Sequence, residues 1–272
     1  MANFTGADLA GSRFDDVHLQ GARFHKVDFS GARFQLVDLT GVVIRGAVLA
    51  NVEISGEVED LRVNGVDVVP LVEAELDRRD PDRAAMRPTD AAGFRAAWDV
   101  LERRWGQTVE RARTFDPELL HERVEGEWSF VETLRHLAFA TDAWVTRAVL
   151  GVPTPWHPLD LPHDEMPDTP GVPRDRDARP SLDGVVAVRA DRVATVRRVL
   201  ADLTDEQLSE MTEVVRNSGY PESKSFPVRG CLGTILNEEW EHHRYAERDL
   251  DVLESRSAGR GRVGAGSPGS SE

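Results

Sequence analysis

The chain has 272 residues, 40% of them hydrophobic, and a formal net charge of −15 at pH 7. That length supports two domains or one large one with a real core, and the acidic balance excludes a general nucleic-acid binder, whose phosphate partners demand clustered Lys and Arg. A single cysteine, Cys231, excludes an intramolecular disulfide, and no charged start followed by an apolar run marks a signal peptide or membrane span, so the chain reads as cytoplasmic, with small molecules as its partners.

From Phe4 onward an apolar residue returns at every fifth position: Phe4, Leu9, Phe14, Leu19, Phe24, Phe29, Phe34, Leu39, Ile44, Leu49 and Ile54. A second register, two residues earlier, holds only small side chains or valine, from Ala2, Ala7 and Ser12 to Ala47 and Val52. A period of five is neither helical nor stranded, and both registers are expected to point inward. Over residues 2 to 56 the segment resembles the pentapeptide-repeat family, through units such as Ala7-Asp8-Leu9. The resemblance implies a short right-handed quadrilateral β-helix with four units to a coil. Eleven units make fewer than three coils, and repeat stacks need neighbours and caps to bury their ends. Some members of that family are acidic rods that mimic DNA. Residues 1–57 hold seven acids against five bases, too balanced and too short for a duplex mimic. A docking or dimerisation platform, with a homodimer as one product, is the plainer reading.

The fivefold register fails between about 58 and 88, where Leu71 to Leu76 after Pro70 predicts a short helix in a linker closed by Pro81 and Pro88. Asp90 then caps a helix whose Phe94, Trp98, Leu101, Trp105 and Val109 form one amphipathic stripe. A second helix, Ser129 to Leu150, is apolar on most sides and should lie deep, stopped by Gly151 and Pro153. Ser181 starts a third, with Leu182, Val185, Val186, Val193, Val196, Leu200 and Leu203 inward, and Thr204-Asp205-Glu206 begins a short turn. The last helix follows Pro227 and is expected to end near Glu254; Ser255 to Glu272, rich in Gly, Ser and Arg, reads as a disordered tail. The predicted organisation is therefore a repeat at 1–57, a linker at 58–88, a four-helix bundle at 89–254 with a long flap at 151–180, and a tail at 255–272.

Chemistry concentrates on two of these helices. Glu238 and His242 stand four residues apart and share a helix face, and His136 comes from the second helix. A carboxylate with two imidazoles suits zinc, nickel or iron. Glu239 and His243 are also four apart and lie on the better apolar stripe, with Leu232, Leu236, Ala246, Leu250 and Leu253. Periodicity therefore favours the pair 239/243.

Residues 89–254 resemble the DinB superfamily, which includes mycothiol- and bacillithiol-dependent S-transferases and thiol-dependent maleylpyruvate isomerases. The resemblance rests on Trp128-Ser129 with Glu132 and His136-Leu137, and on Glu238 to Leu250. It implies that His136, Glu238 and His242 hold a divalent metal, zinc first, with nickel or iron as other fits. The usual first member of the late pair is a histidine; here it is a glutamate, as in the maleylpyruvate isomerase branch. The resemblance implies a low-molecular-weight thiol as cosubstrate, and since Lys26 and Lys224 are the only lysines, the arginine bias of a GC-rich actinobacterial genome points to mycothiol.

Other residues read more plainly. Glu132 is expected to pair with Arg135 on the helix surface, Arg248 and Asp249 to lock the last helix to a neighbour, Trp128 to pack beneath the centre, and His157 and His163 to sit in the flap, lining an entrance. Three other functions stay open: a metal hydrolase with Glu239 as base, a non-haem iron oxygenase lacking its usual β-fold, and a non-catalytic interaction module built on the repeat.

Overall fold

The computed structural model describes residues 2–56 and 58–263, with side chains as far as Arg256. Residues 1–57 and 58–272 separate into two compact units.

In the first unit the period of five is written into the backbone. Positive φ recurs at every fifth residue from Gly6 to Gly56, including the non-glycine positions Asp16, Lys26, Leu36 and Asn51. Four turns are closed by a carbonyl accepting from the residue three ahead, as Leu9 O does from Ser12 N at 3.0 Å, and positive φ at the third turn residue, Gly11, is the type II pattern. Asp8, Asp28 and Asp38 each brace the backbone N–H two residues on. Among the described residues this segment forms no hydrogen-bonded strand. Both apolar registers are exposed, Phe34 by 62% in the first and Val17 by 50% in the second, so neither is buried as a core in this unit. The interior of a coil stack exists only between coils, and so short a segment leaves its apolar side chains without a covering layer.

The second unit opens with a hairpin, β1 (Arg62–Val63) and β2 (Val66–Asp67), paired antiparallel. Its Asn64-Gly65 turn has φ of 51° and 83°, the pair of positive values that a tight hairpin requires. Helix α1 (Val69–Arg79) and a 3₁₀ turn (Pro81–Met86) follow. This stretch is not a free linker: Arg103 and Arg104 reach back to Asp82 at 2.6 and 2.9 Å, and Met86 packs on the core.

The bundle's helices are α2 (Ala91–Ala112), α3 (Phe130–Thr141) continuing as a π-helical stretch Asp142–Val149, α4 (Leu182–Asp202), the single turn α5 (Asp205–Leu208) and α6 (Val228–Val263). The starts obey local chemistry. Asp90 accepts from Gly93 N, Ser181 from Gly184 N, and Ser129 forms a reciprocal capping box with Glu132. Helices α3 and α2 each pack against both α4 and α6. The predicted stripe of α2 is buried from Phe94 to Trp105 and half-buried at Val109, and nearly all of α3 is buried. Helix α6 runs to Val263, nine residues beyond its expected end, so disorder from 255 is corrected for 255–263; the remainder of that tail lies outside the described residues. Among the described residues no helix is long and apolar enough to cross a membrane.

Candidate metal centre

Two helices bring three donors together. Glu238 and His242 sit one turn apart on α6, and α3 presents His136 opposite them. His136 Nε2 is 3.3 Å and His242 Nε2 3.2 Å from the same Glu238 oxygen, Oε2, and all three donor atoms lie within 4.8 Å of one another. Metal–ligand bonds of about 2.0–2.2 Å place neighbouring ligands roughly 2.9–3.5 Å apart in tetrahedral or octahedral shells. The two contacts to Glu238 match that spacing.

The flap decides which nitrogen of His136 faces the cluster. His136 Nδ1 lies 3.0 Å from the backbone carbonyl of Leu161, which only accepts, so Nδ1 carries a proton and Nε2 faces Glu238. Burial keeps the ring neutral by lowering its pKa. Burial pushes the Glu238 carboxyl up, but its contacts with His136 and His242 outweigh that and hold it well below the usual carboxylate range. A buried imidazole and an ionised carboxylate thus face each other at hydrogen-bond distance. A cation between them satisfies both.

Trp128 covers the cluster rather than lying deep beneath it: its half-buried ring stands 4.4 Å from His136 and stacks on His242 at 5.8 Å and 12°. Phe139 continues the wall, 6.1 Å from His136 and stacked on Trp156 and Tyr220.

The alternative pair is buried, as its periodicity implies, but occupied otherwise. Both Glu239 oxygens accept from Arg189 at 2.8 Å, in a pair closed from solvent. His243 Nε2 meets Thr108 Oγ1 at 2.9 Å, and its ring stands edge-on to Trp105. Glu239 therefore cannot serve as a general base.

Other expectations need correction. Glu132 pairs with Arg123, 2.6 Å away, besides capping α3, while Arg135 is wholly buried and donates to flap carbonyls. Arg248 bonds its own neighbour Asp249 at 2.7 Å instead of another helix. His157 accepts from Leu159 N within the flap, and the His163 ring packs on Tyr220 at 5.4 Å. Burial pushes the Cys231 thiol up to about 11, so it stays protonated. Sequence reasoning missed Leu161 and the buried carboxyls Asp142 and Asp160, and placed the buried Arg135 on the surface. Only Asp142, an acid inside an apolar helix, carried a visible signal.

Long packed helices that converge two imidazoles and one carboxylate on a covered interior point define a helical-bundle protein with a cluster suited to a divalent metal. The DinB superfamily profile matches residues 100–246, and that of pentapeptide repeats matches eight copies over residues 2–41. The chain belongs to the DinB superfamily, with a pentapeptide-repeat segment ahead of the helical domain. Neither the curated proteins nor the solved structures yielded a match.

Proposed function

We propose that the protein is a metal-dependent enzyme that uses a low-molecular-weight thiol such as mycothiol for S-transfer or isomerisation, with His136, Glu238 and His242 as ligands of one divalent ion, zinc first, with nickel or iron as other fits. The observation that carries this reading is the convergence of His136 Nε2, Glu238 Oε2 and His242 Nε2 within 4.8 Å of one another. A bound divalent metal with three protein ligands keeps positions open and makes a coordinated thiol a thiolate at neutral pH. The chain's own groups do the rest. Leu161 O orients His136, the Trp128 ring shields His242, and Phe139 with Tyr220 offers an apolar wall to the electrophile. In transfer, the thiol sulfur forms a bond to carbon, the leaving group departs with its electron pair, and the thiol proton passes to water. The hydrolase reading has lost its base, since Glu239 is held by Arg189.

The test is metal analysis of purified protein followed by thiol transfer to a reactive electrophile. About one ion per chain is expected, with turnover that requires added thiol and survives Cys231→Ser. Substituting His136, Glu238 or His242 by alanine should abolish metal binding, whereas His243→Ala should cost no more than the ~10–100-fold of a neighbouring-shell change. Metal-free protein, or turnover without thiol, contradicts the proposal.

For the repeat segment we infer a right-handed quadrilateral β-helix that acts as a docking or dimerisation platform in a cytoplasmic protein. Its support is the backbone period of five with eight matched repeats. Sedimentation should show a homodimer that becomes monomeric when residues 1–57 are removed, and the same number of chains per particle with and without them would remove the dimerisation reading.

A further inference from the structure

We infer that Arg135 is a positioning residue for this centre: it holds both legs of the flap so that the Leu161 carbonyl fixes the tautomer of His136. Arg135 follows the helix face inward next to His136 and is fully buried. Its guanidinium is satisfied by backbone carbonyls. Nε donates to Leu159 O at 2.8 Å, one terminal nitrogen to Ala178 O at 3.1 Å, and the other to Asp175 O. Leu159 belongs to the outgoing leg of the flap, Asp175 and Ala178 to the returning leg. One planar fork therefore ties both to α3.

The clamp extends through the backbone. Leu161 N donates to the Arg135 carbonyl at 3.4 Å, and Leu161 O accepts from His136 Nδ1 at 3.0 Å. Burying a guanidinium among neutral carbonyls is costly, and burial accordingly lowers its pKa. An apolar side chain would fill the same space without that cost. What arginine adds is a set of donors in fixed directions, here aimed at the segment that presents the Leu161 carbonyl. Lysine, a point charge on a flexible stem, cannot span the three carbonyls.

The importance of this clamp for metal binding rests on the proposed function; the effect on the histidine does not. Full-length, metal-free protein with ¹⁵N-labelled histidine reports the tautomer directly. The parent should show His136 protonated at Nδ1. Arg135→Lys should mix the two tautomers while leaving helical content and the other histidine signals in place, and zinc affinity should fall by about 10–100-fold. A Lys variant that keeps the Nδ1–H form and the parent's zinc affinity overturns the inference. If the tautomer shifts and neither protein binds zinc, the role of Arg135 stands and the metal reading falls. Should the variant fail to fold, hydrogen exchange in the unaltered protein decides the matter. After correction for intrinsic rates, His136 Nδ1–H and Arg135 Nε–H should share one protection factor, because one opening releases both; a more than tenfold difference refutes the clamp.

Discussion

Glu238 and Glu239 are chemically identical neighbours on α6, and their surroundings assign them opposite jobs. Glu239 neutralises Arg189 in a closed pair, so removing its charge strands a buried guanidinium. Glu239→Gln should destabilise the fold by about 3–5 kcal/mol in urea unfolding. Glu238→Gln should eliminate metal binding while leaving the closed Arg189 pair intact. A second residue-scale case is Asp160, wholly buried near Asp142, which is itself ion-paired to Arg192 at 2.6 Å and bonded to Thr146. Burial first, and then the Asp142 charge, push the Asp160 carboxyl up to about 8. An unfolded aspartate titrates near ~3.9, so the folded form binds the extra proton between these values, and stability is lost as pH rises through that window. The melting temperature of Asp160→Asn should therefore gain on the parent steadily from pH 5 to pH 8 and level off above it. A constant offset across that range would show that Asp160 is already ionised in the fold.

At the scale of elements, starts were legible because capping is local chemistry: Asp90, Ser129, Ser181 and Thr204 each announce a helix within three residues of their partners. Ser129→Ala should cost about 0.5–2 kcal/mol by thermal or urea unfolding, and a neutral result would mean that packing alone sets the start of α3. The hairpin has only Asn64-Gly65 as its sequence signal, because the strands flanking it are two residues long. The flap was not legible. Arg135, Arg147, Asp142 and Asp160 meet partners far along the chain, and no periodicity encodes a guanidinium that seeks backbone carbonyls. The cluster at His136 was half legible for the same reason. Helical spacing reports which face is buried, and it selected Glu239/His243 correctly as buried; burial and metal ligation, however, are separate demands, and only the partners of each glutamate tell them apart.

For the whole molecule, the two compact units meet in sequence at residue 57, and the stretch from 58 to 88 belongs physically to the helical one. A chain beginning at Val58 should melt as the parent does. One beginning at Thr89 should still fold, but with its melting temperature lowered by about 2–4 °C or more, since Arg103 and Arg104 lose Asp80 and Asp82 and Met86 leaves the core. Equal melting of the two shortened chains would show that the hairpin and α1 merely rest on the surface.

Because the Leu161 carbonyl belongs to the flap and the imidazole it steers belongs to the centre, the two cannot respond independently. Thermodynamic reciprocity then applies in both directions: whatever factor an occupied centre adds to the closed flap, a molecule gripping the closed flap must return to the affinity of the centre. On the function proposed above, an electrophile held by the flap would thus tighten the ion, and its departure would loosen both together.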